Sequence, residues 1–482
     1  MATSPSIYWY DYETFGIDPA RDRISQFAGI RTDMDLNVIS DPLVVYCKAA
    51  DDVLPQPEAC LVTGITPQKT LADGIIEPEF IAAIHQEFAT ANTCVAGFNN
   101  IRFDDEFTRY ALYRNFYDPY AREWQNGNSR WDIIDLVRIT RALRPEGIEW
   151  PIDDDGNPSN RLELITKANN ISHEAAHDAL SDVYATIAVA RLIKEKQPRL
   201  YDYVLQHKHK NEVLKLLNLY QRSPVIHTSG MYHSSICNTA MVLPLAQHPI
   251  NKNGIIVYDL RYDPQPLIEL TAEEIRERIY TSKENLPEGV ERIPIKTVHI
   301  NKCPVVVPIN TLDDASAKRL NIDRDQHMQH CETLLQSHGL AEKIQQVFSE
   351  NPFEPYTDPD LNLYGGGFFS NDDRARMDDI RNTAPDELIN LHLNFDDERL
   401  GEMLFRYRAR NFPETLTPDE AQAWQTYRKN KFSGNSEASK LSLDDYMKKI
   451  DELHNEVDRS EKQKKLLDEL KAYGDKIRQS LK

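Results

Sequence analysis

Residues 6–30 read "SIYWYDYETFGIDPARDRISQFAGI". The run from Ser6 to Thr14 is apolar and aromatic enough for a buried strand, yet it carries Asp11 and Glu13. Side chains alternate across a strand, so these two acids share one face and Tyr12 takes the other. Two like charges side by side repel, and burial sharpens the repulsion. A divalent cation between them is the simplest remedy, because Mg2+ and Mn2+ prefer oxygen ligands. The alternative ends the strand at Tyr10 and leaves both acids solvated in a loop.

Outward from this stretch, "RISQFAGIRTD" and "VISDPLVVYCKA" read as further strands of the same sheet. "EPEFIAAIHQEFATAN" has helical spacing, and "TCVAGFNN" is a short buried strand entering a turn. Helices are expected near 104–115, 132–143, 161–169 and 178–195, the last stopping before Pro198. Residues 7–195 therefore read as an α/β domain. A linker at "KEKQPRLYDY" opens a second domain, 198–352. It holds one helical piece, "NEVLKLLNLYQ", and strands at "MVLPLAQHP", "GIIVYDL", "KTVHI" and "CPVVVPI". After the proline-rich "NPFEPYTDPDL" the rest, 353–482, reads as almost wholly helical. Its tail spaces Tyr446, Ile450, Leu453 and Val457, then Leu467, Leu470, Tyr473 and Ile477, as an amphipathic or coiled-coil seam. An irregularity is expected at Lys464.

The 482 residues are 40% hydrophobic and 27% charged, a balance that suits soluble globular domains. No apolar run is long enough for a bilayer and no basic-then-apolar leader opens the chain, so a cytoplasmic protein without membrane association is expected. Cysteines 47, 60, 94, 237, 303 and 331 are scattered without a CxxC pair, which argues against a zinc site or a disulfide framework. The formal net charge of -20 weighs against a nucleic-acid partner, but binding depends on where the positive charge lies.

Three further positions join the opening acids. Asp104 stands where "NNIRFDDEF" turns from strand to helix, and "HDALSD" sets His177 five residues before Asp182. Five helical residues turn through about 140°, so His177 suits the loop before the helix and Asp182 the helix itself. Singly each is ordinary: an Asp opening a helix is usually a cap. Together, D-x-E, N-x-x-F-D and H-x-x-x-x-D in this order resemble the DEDDh branch of the DEDD exonucleases, which have a ribonuclease H-like fold. "DYETFG", "TGITPQ", "RFDDE", "YRNFYDPYA", "NSRWD", "ALRPEGI", "ITKAN", "HINKCPV" and "RYRARNFP" narrow the resemblance to bacterial exodeoxyribonuclease I, from near residue 8 to near residue 413.

That resemblance implies an α/β, ribonuclease H-like exonuclease domain, then an SH3-like β-containing domain and an α-helical C-terminal domain. It implies two Mg2+ ions, with Mn2+ as a substitute. Asp11 would bridge them, Glu13 and Asp182 would join one, and Asp104 would face the other through water. His177 would take the proton of the attacking water. A role in DNA repair and recombination, docking of the acidic C-terminal tail of single-stranded DNA-binding protein, and a monomeric state are implied as well.

Residues 109–131, "RYALYRNFYDPYAREWQNGNSRW", hold four Arg and seven aromatics against two acids. Such a mixture grips single-stranded nucleic acid, with cations on phosphates and rings on bases. Tyr110 and Tyr113 are expected in the core, and Arg109, Tyr120, Trp124 and Arg130 on substrate. Arg161 is the candidate for the terminal phosphate, with Arg138 and Arg144 extending the path. "LNLYGGGFF" has one glycine more than the resembled family, which bears on how Tyr364, Phe368 and Phe369 are set. The basic "QHKHKNE" at 206–212 reads as a solvated helix face.

The leading reading is a 3′→5′ exonuclease on single-stranded DNA. A DEDDh exoribonuclease would share the same core, since the 2′-OH contact leaves no signature in one sequence. A catalytically silent nucleic-acid-binding scaffold is disfavoured, because all five catalytic positions carry the required residue types.

Overall fold

In the computed structural model, strand β1 (Ser6–Thr14) runs unbroken through both acids. It pairs antiparallel with β2 (Ile24–Thr32), and β2 pairs antiparallel with β3 (Leu43–Tyr46). On its other side β1 runs parallel to β4 (Thr93–Gly97). The order is therefore β3-β2-β1-β4. Tyr8, Tyr10 and Tyr12 alternate into one core with Phe27, Phe80, Phe88 and Phe107. The odd-numbered residues, Asp11 and Glu13 among them, take the opposite face. The described residues are 4–173, 178–350, 354–391 and 393–482.

The chain divides into two compact units. One comprises Met1–Ser129, Glu174–Tyr184 and Glu354–Lys482, the other Arg130–His173 and Ala185–Phe353. The short strand β5 (Ser129–Asp132) begins at the first boundary. The second unit contains an antiparallel sheet of β6 (Val225–Thr228), β7 (Thr239–Gln247), β8 (Gly254–Asp259), β9 (Ile295–His299) and β10 (Val305–Pro308), in the order β10-β6-β7-β8-β9. Val225, Val242, Ile255, Val257, Val298 and Val306 fill its core with Val213 and Leu217. This region holds more helix than its sequence suggests, including Ala272–Tyr280, Arg324–Gln336 and Leu340–Val347. The first carries a complete capping box between Thr271 and Glu274, a signal present in "TAEE".

The C-terminal seam differs from expectation. Two helices, Leu443–His454 and Glu461–Ser480, are separated by a turn, and Val457 lies in that turn, 97% exposed. Lys464 falls inside the second helix without a break. Tyr446, Ile450 and Leu453 pack with Leu467, Leu470, Tyr473 and Ile477 against Phe15, Leu54, Cys60 and Ile65. The tail is thus a helix pair fixed to the N-terminal part of its own unit. Gly474 makes the close contact possible, since a Cβ there would stand 2.6 Å from the Met447 sulfur. All six cysteines are free thiols. Among the described residues no helix is long and apolar enough to cross a membrane.

Candidate active site

The register of β1 builds the site. β4 pairs with β1 only from Ser6 to Trp9, so the end of β1 runs past its parallel neighbour. The Tyr12 N–H there donates to Asp104 Oδ1 at 3.2 Å. Asp104 is the first residue of the helix Asp104–Arg114 and is buried. The next residue, Asp105, locks that helix end from beneath: it accepts from Tyr10 Oη at 2.8 Å and from Arg122 Nη2 at 2.7 Å. This ion pair is completely buried.

On the opposite face of β1, carboxylate oxygens of Asp11, Glu13 and Asp182 lie within 4.8 Å of one another. Asp182 comes from the first turn of the helix Ala179–Lys196, whose start is capped by Asp178 through the Ser181 N–H at 3.3 Å. Burial pushes the Asp11 carboxyl well above its ordinary range, and Asp104 and Asp182 push it further. Burial also raises Glu13, to about 9, with Asp11, Asp182 and Asp178 adding to it. The charges that act on these two acids are thus other carboxylates. An all-oxygen donor set under mutual repulsion fits a hard divalent cation. His177 lies outside the described residues.

Comparison with known proteins places the chain in a family. Residues 8–190 match the exonuclease family model, 208–350 the exonuclease I SH3-like domain, and 357–477 the exonuclease I C-terminal domain. Exodeoxyribonuclease I of Haemophilus influenzae is 48% identical over 479 residues, covering 99% of this chain and 100% of the relative. The chain belongs to the exonuclease I family. It is a hydrolase with the family's three parts in order: exonuclease domain, SH3-like domain, C-terminal domain. Exonuclease I of Methylocaldum szegediense, a moderately thermophilic enzyme, superposes with a TM-score of 0.94 at 52% identity, covering 98% of this chain and 99% of that one. E. coli exonuclease I in complex with a dA16 oligonucleotide gives 0.95 at 47% identity, covering 98% and 100%.

Within this exonuclease I chain the expected substrate residues divide by environment. Arg109 is buried, with Nε and Nη2 on Glu123 at 2.8 and 3.0 Å and Nη1 on Glu106 at 2.9 Å. Its charge is matched in place by these two carboxylates. Tyr120 is half-buried, its ring 5.3 Å from the Arg109 guanidinium and edge-on to Phe368 at 5.8 Å. Trp124, Tyr364 and Phe368 are 66%, 54% and 81% exposed. In the second unit, Arg130 is buried and donates to Asn301 O at 3.0 Å, and Arg138 pairs with Asp135 at 2.7 Å. Arg144 donates to Thr311 O at 2.9 Å and meets Asp313 at 3.3 Å. Arg161 is largely exposed and touches Glu163 at 2.7 Å. Tyr110 and Tyr113 are core residues, as expected.

Sequence reasoning missed Asp105, Arg122 and Asp178. The doubled acid "DD" at 104–105 was the available signal: one faces the site and the other the core.

Proposed function

We propose that this chain degrades single-stranded DNA from the 3′ end and releases 5′-mononucleotides. The observation that carries the reading is the convergence of Asp11, Glu13 and Asp182, with other carboxylates as the charges that raise Asp11 and Glu13 among the described residues. With Asp104 beside them they would hold two Mg2+ ions, Mn2+ serving as a substitute. Such ions supply an ionised water near neutral pH and neutralise charge at the phosphorus and the leaving oxygen.

The chain's own residues do the rest. Tyr12 N–H and the Asp105–Arg122 pair fix Asp104, so the helix end does not yield to repulsion. His177, five residues before Asp182, is assigned the proton of the attacking water. Exposed Trp124, Tyr364 and Phe368 offer faces to bases, and Arg161 offers charge to phosphate. Arg109, Arg130, Arg138 and Arg144 hold partners within the chain from which they would extend the path, and Tyr120 packs edge-on to Phe368.

The oligonucleotide complex of the E. coli relative supports single-stranded DNA as the substrate. Family membership supports the finer assignments: domains at 7–195, 198–352 and 353–482, a cytoplasmic monomer acting in repair and recombination, and docking of the acidic tail of single-stranded DNA-binding protein.

The test is digestion of 5′-labelled single-stranded DNA, RNA of the same sequence and blunt duplex, each with Mg2+, Mn2+ or EDTA. Metal-dependent shortening of the single-stranded DNA alone is expected. Faster loss of RNA would move the assignment to an exoribonuclease, and binding without cleavage in either metal to a silent scaffold.

A further inference from the structure

The segment Leu361–Phe369, "LNLYGGGFF", has neither helix nor strand, yet it presents Tyr364 and Phe368 to solvent. A glycine-rich loop left to itself would not hold two rings in place. Arg399, the first residue of the helix Arg399–Asn411, is buried beneath it. Its Nη1 donates to Asn362 O at 2.7 Å, and Nη2 donates to Gly366 O at 3.1 Å and Gly367 O at 3.2 Å. Asp397 anchors the guanidinium from the other side at 2.9 Å to Nε and 2.7 Å to Nη2. The guanidinium also lies 4.6 Å from the centroid of the Phe369 ring, and that ring stacks on Tyr113. One planar cation therefore binds three carbonyls of the loop and one of its rings.

The glycines fit this arrangement. A Cβ on Gly366 would meet the Arg399 guanidinium at 2.1 Å, and Gly367 has φ +72. The held loop is wired to the catalytic helix. Tyr364 Oη contacts Glu106 and accepts from Arg109 at 3.1 Å, and Tyr113 Oη donates to Pro359 O at 2.8 Å. Glu106, Arg109 and Tyr113 all belong to the helix that begins at Asp104.

We propose that Arg399 is a positioning residue for substrate: it clamps the Tyr364–Phe368 loop as a rigid aromatic platform for bases of the single strand. The inference rests on the single-stranded DNA reading and extends it to a residue that never meets the DNA. A ring held in advance loses little freedom when a base stacks on it, so the clamp acts on binding.

The experiment measures steady-state degradation of single-stranded dT16 in Mg2+ by Phe368→Ala, Arg399→Met, their double variant and Gly366→Ala, with melting curves for each. Phe368→Ala tests the underlying platform: an unchanged KM for this variant would overturn the platform itself. With the platform upheld, Arg399→Met should raise KM about tenfold, roughly one lost stack, and change kcat less than about twofold. The double variant should be no worse than Arg399→Met, because both changes remove the same stack. Gly366→Ala, which keeps the charge but displaces the guanidinium, should reproduce the KM rise, and it decides the matter if Arg399→Met does not fold. Multiplying effects in the double variant, a fall in kcat at unchanged KM, or an unchanged KM in Gly366→Ala would overturn the role of Arg399.

Discussion

Asp52 and Asp360 are as buried as Glu13 and lie in the same unit, but they sit among cations. Asp52 accepts from Arg410 at 3.0 Å and from Lys431 at 2.9 Å, and Asp360 accepts from Arg406 at 3.0 Å and also from Arg410. Burial alone would raise both carboxyls; Arg410 with Lys431 for Asp52, and Arg410 with Arg406 for Asp360, outweigh it and hold both below the usual range. At Asp11 and Glu13 burial and neighbouring acids push the same way, upward. The difference separates structure from function. A buried carboxylate supplied with its own cations is a fastener, here holding the helices of Arg410 and Lys431 to the segment after β3. Carboxylates raised by burial and by one another, as Asp11 and Glu13 are, suit cations from outside instead.

The largest break in this comparison should come at Asp182. Asp182→Asn is expected to lower turnover by at least about 10²–10³-fold, the scale of losing one preorganised electrostatic contact. In EDTA the same variant should melt no lower than wild type, because a repulsive charge is gone. Asp52→Asn should do the reverse. Removing one partner of a buried ion group costs about 3–5 kcal/mol, read as a shifted urea midpoint, while kcat per folded molecule stays the same. An Asp52→Asn protein as stable as wild type would erase the contrast.

A smaller effect is expected in the pH dependence of melting without metal. With its carboxyl raised to about 9, folded Glu13 keeps a proton that the unfolded chain has already released, so its contribution to stability falls as pH rises toward 9. Asp52 is depressed, so its contribution is full above the ordinary carboxylate range and drains away as pH drops below about 4. Glu13→Gln should flatten the slope between pH 4.5 and about 9, and Asp52→Asn only the slope below about 4.

Alternation in "WYDYE" was enough to put Asp11 and Glu13 on one face, and helical spacing put Asp182 in a helix. What a linear pattern could not show was compensation. The four Arg and seven aromatics of 109–131 look like a DNA path, yet Glu106 and Glu123 take up Arg109 and Asp105 takes up Arg122. Nor could spacing show that β4 stops beside Trp9, which is why Asp104 meets the Tyr12 N–H. Heptad spacing carried the tail seam through Val457, where the chain turns instead. Arg399 gave no signal as a loop clamp, because the loop groups it binds are backbone carbonyls more than thirty residues upstream.

The central claim is that the converging Asp11, Glu13 and Asp182, the first two raised by burial and by neighbouring carboxylates, receive divalent cations. Calorimetric titration of Mn2+ into the metal-free enzyme at pH 7.5, repeated in buffers of different ionisation heat, tests it most directly. A carboxyl group raised to about 9 is protonated at that pH, so binding should release protons to the buffer. Glu13→Gln should reduce the release, Asp182→Asn should weaken binding, and Asp52→Asn should leave both unchanged. Binding without proton release, or binding equally tight in Asp182→Asn, would contradict the account.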